Sequence, residues 1–275
     1  MSRRSFAPLM IAVFVLCLMA NDLLAASNFA SPAFDRRWRQ DEQIAPNFWG
    51  PLDLATDGLS ETYAEGTVGA ICRPDQACPQ YLLRGMRLVQ YFDKGRMELT
   101  VPGGSVTSGL LVKEMISGRT QMGDATFENH SPARIPVAGD LDNLFPLYSD
   151  LTAPLPPQPR AAGSSVQTEL TPNGPQAAPS APQDAAAAIA TTDNATGIAI
   201  PRIFVDFRER VGLQVVGLAI TQPFWVQVRV GGVQRQVLMQ AFERRVLTYA
   251  PSNPSGFQVE MGNVGQHYLR WRYGR

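Results

Sequence analysis

Histidine and cysteine are scarce in this chain, two and three residues respectively out of 275. That scarcity removes most metal-centre and nucleophile–base chemistry at the outset. His130 sits in Glu128-Asn-His-Ser131, which reads as a turn, and His267 stands near the C-terminus. No Gly-x-Ser-x-Gly elbow accompanies either one. A serine–histidine–acid site would have to be assembled from distant loops. Net charge is missing too: 24 basic residues balance 24 acidic ones. No overall field draws nucleic acid or an anionic membrane surface. Charged residues make up 17% of the chain, low for a cytosolic protein. No catalytic residue, metal or cofactor is expected from these patterns.

The N-terminal apolar run, Phe6 to Ala20, falls short of the roughly 20 residues that cross a bilayer. Arg3 and Arg4 precede it, and Leu24-Ala25-Ala26-Ser27 offers small residues for cleavage. Residues 1–26 therefore read as a signal peptide, and the protein as secreted or cell-surface. Membrane association is expected only if the segment stays uncleaved. Behind such a signal, Cys72 and Cys78 form an even, closely spaced pair. They read as a local disulfide, since no further Cys or His nearby completes a metal set.

Aromatic residues are absent from 151–197, which holds eight prolines among many Ala, Ser, Gln and Thr. Such a stretch has little apolar surface to offset its ordering entropy, so it reads as a disordered Pro/Ala-rich linker. It separates a unit at 27–150 from one at 198–275.

The two units share a signature. Gln90-Tyr-Phe-Asp-Lys-Gly-Arg-Met-Glu-Leu99 answers Gln240-Ala-Phe-Glu-Arg-Arg-Val-Leu-Thr-Tyr249 at an offset of 150. Further on, Glu114-Met115 answers Glu260-Met261 at an offset of 146. Two matches in the same order point to a duplicated unit. Gln90, Phe92 and Asp93, with Gln240, Phe242 and Glu243, are its defining residues. Each Gln shares a strand face with its Phe and is read as a buried hydrogen bonder.

The units read as mainly β, two small antiparallel modules. Phe224–Val230 and Val233–Phe242 flank Gly231-Gly232 as a hairpin. In the first run, Phe224, Val226, Val228 and Val230 share one face, and Trp225, Gln227 and Arg229 the other. Arg245–Tyr249 reads as a third strand and Tyr268–Tyr273 as a last one, with Leu269, Trp271 and Tyr273 inward and Tyr268, Arg270 and Arg272 outward. A short helix is expected to open each module, at Phe34–Trp38 and at Pro201–Arg210.

Gly217-Leu-Ala-Ile-Thr-Gln-Pro-Phe-Trp225, Val237–Tyr249 and Val259-Glu-Met-Gly-Asn-Val-Gly265 resemble a pattern, G-x-P-[IL]-T … Q-x-F-[DE]-[KR] … V-x-x-G-x-x-G. It is that of exported repeat modules of green non-sulfur bacteria, distantly similar to LGFP-type envelope repeats. The resemblance covers most of the chain outside 1–26 and 151–197. It implies an envelope setting and no assigned activity. The sequence departs from it at Ala219, where the pattern prefers Pro, and in the cysteine loop.

Paired carboxylates are the remaining catalytic candidates. Asp93 with Glu98, and Glu243 with Glu260, lie beside Lys94 and Arg244, so cross-strand ion pairs are the simpler account. For ligand binding, Trp49, Trp225, Tyr268, Arg270 and Arg272 are the candidates, as aromatic platforms and outward bases. The expected function is a non-enzymatic extracytoplasmic protein binding a cell-envelope glycan, another polymer or a surface protein through duplicated modules. The alternatives are an envelope-directed hydrolase with a cleft between modules and a structural or assembly protein of the cell surface.

Overall fold

The computed structural model describes residues 28–45, 47–68, 84–178 and 182–275. Residues 1–26, read as a signal, and the Cys72–Cys78 loop lie outside the described residues.

The chain is mainly β. Its described residues open on helix α1 (Pro32–Glu42), which starts where Ser31 Oγ accepts the Ala33 N–H at 3.2 Å and Pro32 presets the first turn. Strands β1 (Leu59–Thr62), β2 (Met86–Phe92), β3 (Gly95–Leu99) and β4 (Thr107–Ser108) form a four-stranded antiparallel sheet in that order. Helix α2 (Leu111–Ser117) follows, then a small hairpin, β5 (Arg119–Gln121) with β6 (Phe127–Asn129).

Further on come β7 (Thr168–Thr171), β8 (Gly174–Ala177), β9 (Ile189–Thr192) and β10 (Ala199–Pro201). Helices α3 (Arg202–Val211) and α4 (Leu213–Val216) lead into β11 (Phe224–Val230), β12 (Val233–Ala241), β13 (Val246–Tyr249) and β14 (Val259–Met261). The chain closes on helix α5 (Val264–Tyr273). A six-stranded sheet runs β14-β13-β12-β11-β7-β8. The expected hairpin is present: β11 and β12 pair from Phe224↔Met239 to Val230↔Val233. Its two-residue turn needs positive φ at both positions, which Gly231 (59°) and Gly232 (79°) supply.

Both sheets are packed on both faces. β12 turns Leu238 into one core with Phe34 of α1 and Phe204 of α3, and Val237 and Met239 into another with Met115 of α2 and Leu269 of α5. Strands buried on two sides read as near-continuous apolar runs, as Val237-Leu-Met239 does. Each core draws on residues from before 150 and after 198, so the two halves fold around shared interiors.

Three expectations are corrected. Residues 151–178 and 182–197 are not a structureless tether. β7 lies parallel to β11 through Trp225↔Glu169 and Val226↔Leu170, and Leu151, Val166, Leu170 and Ile189 are buried. Gln158 ties the stretch down, donating to Thr168 Oγ1 at 2.6 Å and accepting from Gln167 N at 2.9 Å. Composition counts only a segment's own apolar surface, and here the rest of the chain supplies the core. The final strand is a helix, because Val264, His267, Tyr268 and Trp271 recur at i, i+3, i+4 and i+7. Tyr268 thus points inward, against the outward direction expected of it. Finally, Glu114-Met115 lies in α2 whereas Glu260-Met261 lies in β14, so those two pairs are not counterparts.

Candidate functional site

The two Gln-x-Phe segments meet where the halves join, and their amide nitrogens are held alike, although Gln90 Oε1 accepts from Ala30 N (3.0 Å) and Gln240 Oε1 has no partner among the described residues. Gln90 Nε2 donates to Asn28 O (2.6 Å) and Thr56 O (2.9 Å), while Gln240 Nε2 donates to Ala199 O and Thr221 O, both at 2.9 Å. Thr56 Oγ1 accepts from Tyr91 N, and Thr221 Oγ1 from Ala241 N. Phe92 and Phe242 are both fully buried. Gly50 (φ 84°) and Gly217 (φ 85°) each press their Cα against the acid of the turn, Asp93 and Glu243 respectively.

Those turns reach across the junction in a reciprocal way. Asp93 O accepts from Gly265 N (3.1 Å) at the start of α5, and Glu243 O accepts from Lys113 N (3.1 Å) in α2. Lys94 Nζ donates to Met261 O (3.1 Å), and Arg244 Nε to Ser108 O (3.0 Å). The acids therefore work at an interface and not on a solvated sheet face. Glu243 also pairs with Lys113 Nζ at 3.0 Å. Burial pushes the Asp93 carboxyl up, with Lys94 only partly offsetting it.

Arg245 follows Arg244 into the junction. Its guanidinium is fully buried, 5.0 Å above the Trp49 ring and pressed against Gly95. Nη1 donates to Arg244 O, while Nε and Nη2 have no partner among the described residues. Burial without a facing carboxylate lowers its pKa to about 9, Asp41 acting from a distance.

A second cluster escaped the sequence reading. Arg87 and Arg96 are buried among Glu61, Glu98 and Glu114. Arg87 contacts Glu61 (3.0 Å) and Glu98 (3.1 Å), and Arg96 contacts Glu61 (3.4 Å) and Glu114 (3.2 Å) and donates through Nε to Glu98 at 2.7 Å. Three tyrosines complete it: Tyr91 and Tyr273 donate to Glu61, Tyr268 to Glu114. Burial alone would raise the Glu61 carboxyl, but Arg96, Arg87 and the tyrosine hydroxyls outweigh it and hold it at about 2. At Glu114 burial wins and the pKa rises despite Arg96. The only signal in the sequence was alternation along β2, which puts Arg87 and Tyr91 on one face with Val89. Whether that face is wet or buried is decided by α5, more than 150 residues away. Each carboxylate here is already held by arginine or tyrosine, so the cluster is built to join the halves.

The ligand-binding candidates scatter. Trp49 and Trp225 are core residues, Trp49 Nε1 donating to Asp41 at 2.8 Å. Tyr268 is buried at 1% exposure. Arg270 is exposed, and Arg272 pairs with Glu128 at 2.7 Å beside His130. None of the five lines the groove described next.

That groove, of about 880 Å³, opens between the halves. Ile44, Lys94 and Val137 line it from one, Arg210, Phe257, the stretch Val259–Asn263 and His267 from the other. Phe257 is 70% exposed and Ile44 40%. Among the described lining residues Glu260 is the only carboxylate. His267 shares a 2.9 Å hydrogen bond with the Tyr148 hydroxyl through Nδ1. Burial, then Arg270 and Lys94, lower its pKa to about 4.

The sign of that shift makes a prediction. Between pH 6.5 and about 4 the unfolded chain binds the proton that folded His267 refuses, so stability falls as pH drops through this window. The loss should reach roughly 3 kcal/mol, and His267→Gln should flatten it. Urea unfolding at pH 7 and pH 4.5 checks this, and equal losses in the two proteins would refute it.

Among the described residues no group of three or more His, Cys, Asp or Glu could hold a metal ion, and no helix is long and apolar enough to cross a membrane. No family model matches the chain, and no curated protein or solved structure matches it either.

Proposed function

We propose that this chain is a non-catalytic extracytoplasmic protein, grown from a duplicated unit, that binds a cell-envelope polymer or surface partner in the groove between its halves. The groove carries the proposal. It presents Phe257 and Ile44 to solvent with a single carboxylate, Glu260, among its described lining residues. Acid-pair hydrolysis needs two carboxylates about 5–10 Å apart across such a cleft. The export part rests on the N-terminal segment, and the envelope setting on the resemblance to exported repeat modules.

Duplication is supported by the matched bonds of Gln90 and Gln240 and by the reciprocal reach of the two turns. With α4 set aside, the order helix, strand, antiparallel pair carrying the Gln (β2–β3 and β12–β13), strand, helix also recurs on both sides. In this reading the copies act as one body with one groove, not as two tethered modules gaining avidity. The hydrolase alternative shares the cleft, but there His267 leans on Tyr148 and not on an acid.

Calorimetric titration of the chain beginning at residue 27 tests the proposal, using soluble glycan strands and stem peptides released from bacterial cell wall. One of them should bind, and Phe257→Ser should weaken it at least tenfold. No binding by either, or turnover of either, would overturn it.

A further inference from the structure

β14 is an edge of the six-stranded sheet. Its register shows where its backbone groups point. Gly262 N donates to Val246 O and Ala250 N to Gln258 O, and the pair Thr248↔Glu260 lies between them. Hydrogen-bonded pairs alternate along an antiparallel ladder. Glu260 therefore aims its N–H and C=O at β13, and Val259 and Met261 aim theirs away. Of these outward groups, the Met261 carbonyl accepts from Lys94 Nζ. The Val259 N–H, the Val259 carbonyl and the Met261 N–H have no partner among the described residues. Exposed edges are normally blunted by charge, bulges or cover. This one lines a groove of about 880 Å³, inside the range of roughly 300–1,000 Å³ that holds small ligands.

The groove also has a charge preference. The Arg210 guanidinium lies 5.3 Å over the Phe207 ring and makes no ion pair among the described residues. Lys94 shares the groove, and Glu260 alone opposes the two bases.

We propose that the groove takes an extended acidic peptide, which adds a strand to β14 and places a carboxylate on Arg210. Strand addition matches outward amide groups two residues apart, the spacing a peptide backbone repeats. A glycan offers no such repeat, and its usual tryptophan platforms, Trp49 and Trp225, are buried here. Apolar side chains at alternate positions would meet Phe257 and Ile44.

This inference rests on the groove being the binding site, and the test separates the two claims. The chain from residue 27 is panned against a phage-displayed random heptapeptide library, with soluble cell-wall glycan strands titrated in parallel. The expected result is enrichment of peptides alternating apolar residues around an Asp or Glu. A selected peptide, once synthesised, should lose at least tenfold in affinity on N-methylation of one central amide. It should lose as much against Arg210→Gln, an exposed position whose unchanged thermal unfolding verifies the fold. Its binding should slow hydrogen exchange at the Val259 and Met261 amides. Peptides indifferent to N-methylation or to Arg210→Gln would overturn the inference. So would a dimer of the chain that protects the same amides, since a second copy would then fill the edge. Glycan binding abolished by Phe257→Ser, with no peptide enriched, would sink this inference and leave the binding reading standing. Failure of both probes would remove both.

Discussion

Replacing Arg96 with Met should lower the unfolding free energy by about 3–5 kcal/mol, the usual cost of removing one partner from a buried ion network. Arg96 is fully buried and lies within 3.4 Å of Glu61, 2.7 Å of Glu98 and 3.2 Å of Glu114. It also stands over the rings of Tyr91 (5.5 Å) and Tyr268 (5.1 Å). Without it, Arg87 alone faces three carboxylates. Glu114 suffers most, because it then keeps only the Tyr268 hydroxyl. Adding Glu114→Gln to Arg96→Met should therefore cost less than Glu114→Gln costs alone, and a double-mutant cycle in urea measures the difference. A loss under 1 kcal/mol for Arg96→Met would mean that the cluster is wet and weak. Glu61 adds a pH signature of its own. Its folded pKa is depressed, so its stabilisation is complete above about 4.5 and is lost as pH falls toward 2.

Gly265→Ala should be nearly as damaging, for a steric reason alone. A Cβ at Gly265 would sit 1.8 Å from Phe92 O and 2.8 Å from Gly95 O. Those are backbone atoms of the first half's turn, so no side chain can swing away. Either α5 or the turn must retreat, and the Asp93 O bonds to the start of α5 go with it. Overpacking a tight contact costs typically 1–3 kcal/mol, and at this distance about 3 kcal/mol or more is expected. Gly262→Ala is the control: its Cβ would meet Val137 O at an ordinary 3.5 Å and should cost under about 1 kcal/mol. Similar losses for the two variants would show that the halves do not interlock at Gly265.

Local signals were read well. Gly231-Gly232 between two apolar runs specified the β11–β12 hairpin, because two-residue turns need positive φ and glycine adopts it without strain. The two opening helices were legible as well, although α1 begins at Pro32, two residues before the expected Phe34, and α3 at Arg202, one after Pro201. The recurrence of Gln90 and Gln240 was visible as spelling, and the structure places both on backbone carbonyls. The final helix was missed because six residues fit a period of two as well as one of 3.6. Only Val264 and His267 upstream break the tie.

The candidate site was barely legible. Phe257 and Ile44 are unremarkable in a sequence, and the groove exists only because two halves dock. The aromatic residues that looked like binders, Trp49, Trp225 and Tyr268, went into the core instead, while Arg270 stayed exposed and Arg272 paired with Glu128.

By itself, then, the sequence determined what acts over a few residues: turns, caps, strand alternation and the recurring Gln-x-Phe segment. Tertiary structure decided everything that depends on what lies opposite. It ordered the proline-rich stretch against β11, enclosed Arg87 and Arg96 among three glutamates, and left three outward backbone groups of β14 without a partner among the described residues. The physical reason is that backbone preferences are local. Burial is a property of pairs such as Glu114 and Tyr268, 154 positions apart, and no short-range pattern records it.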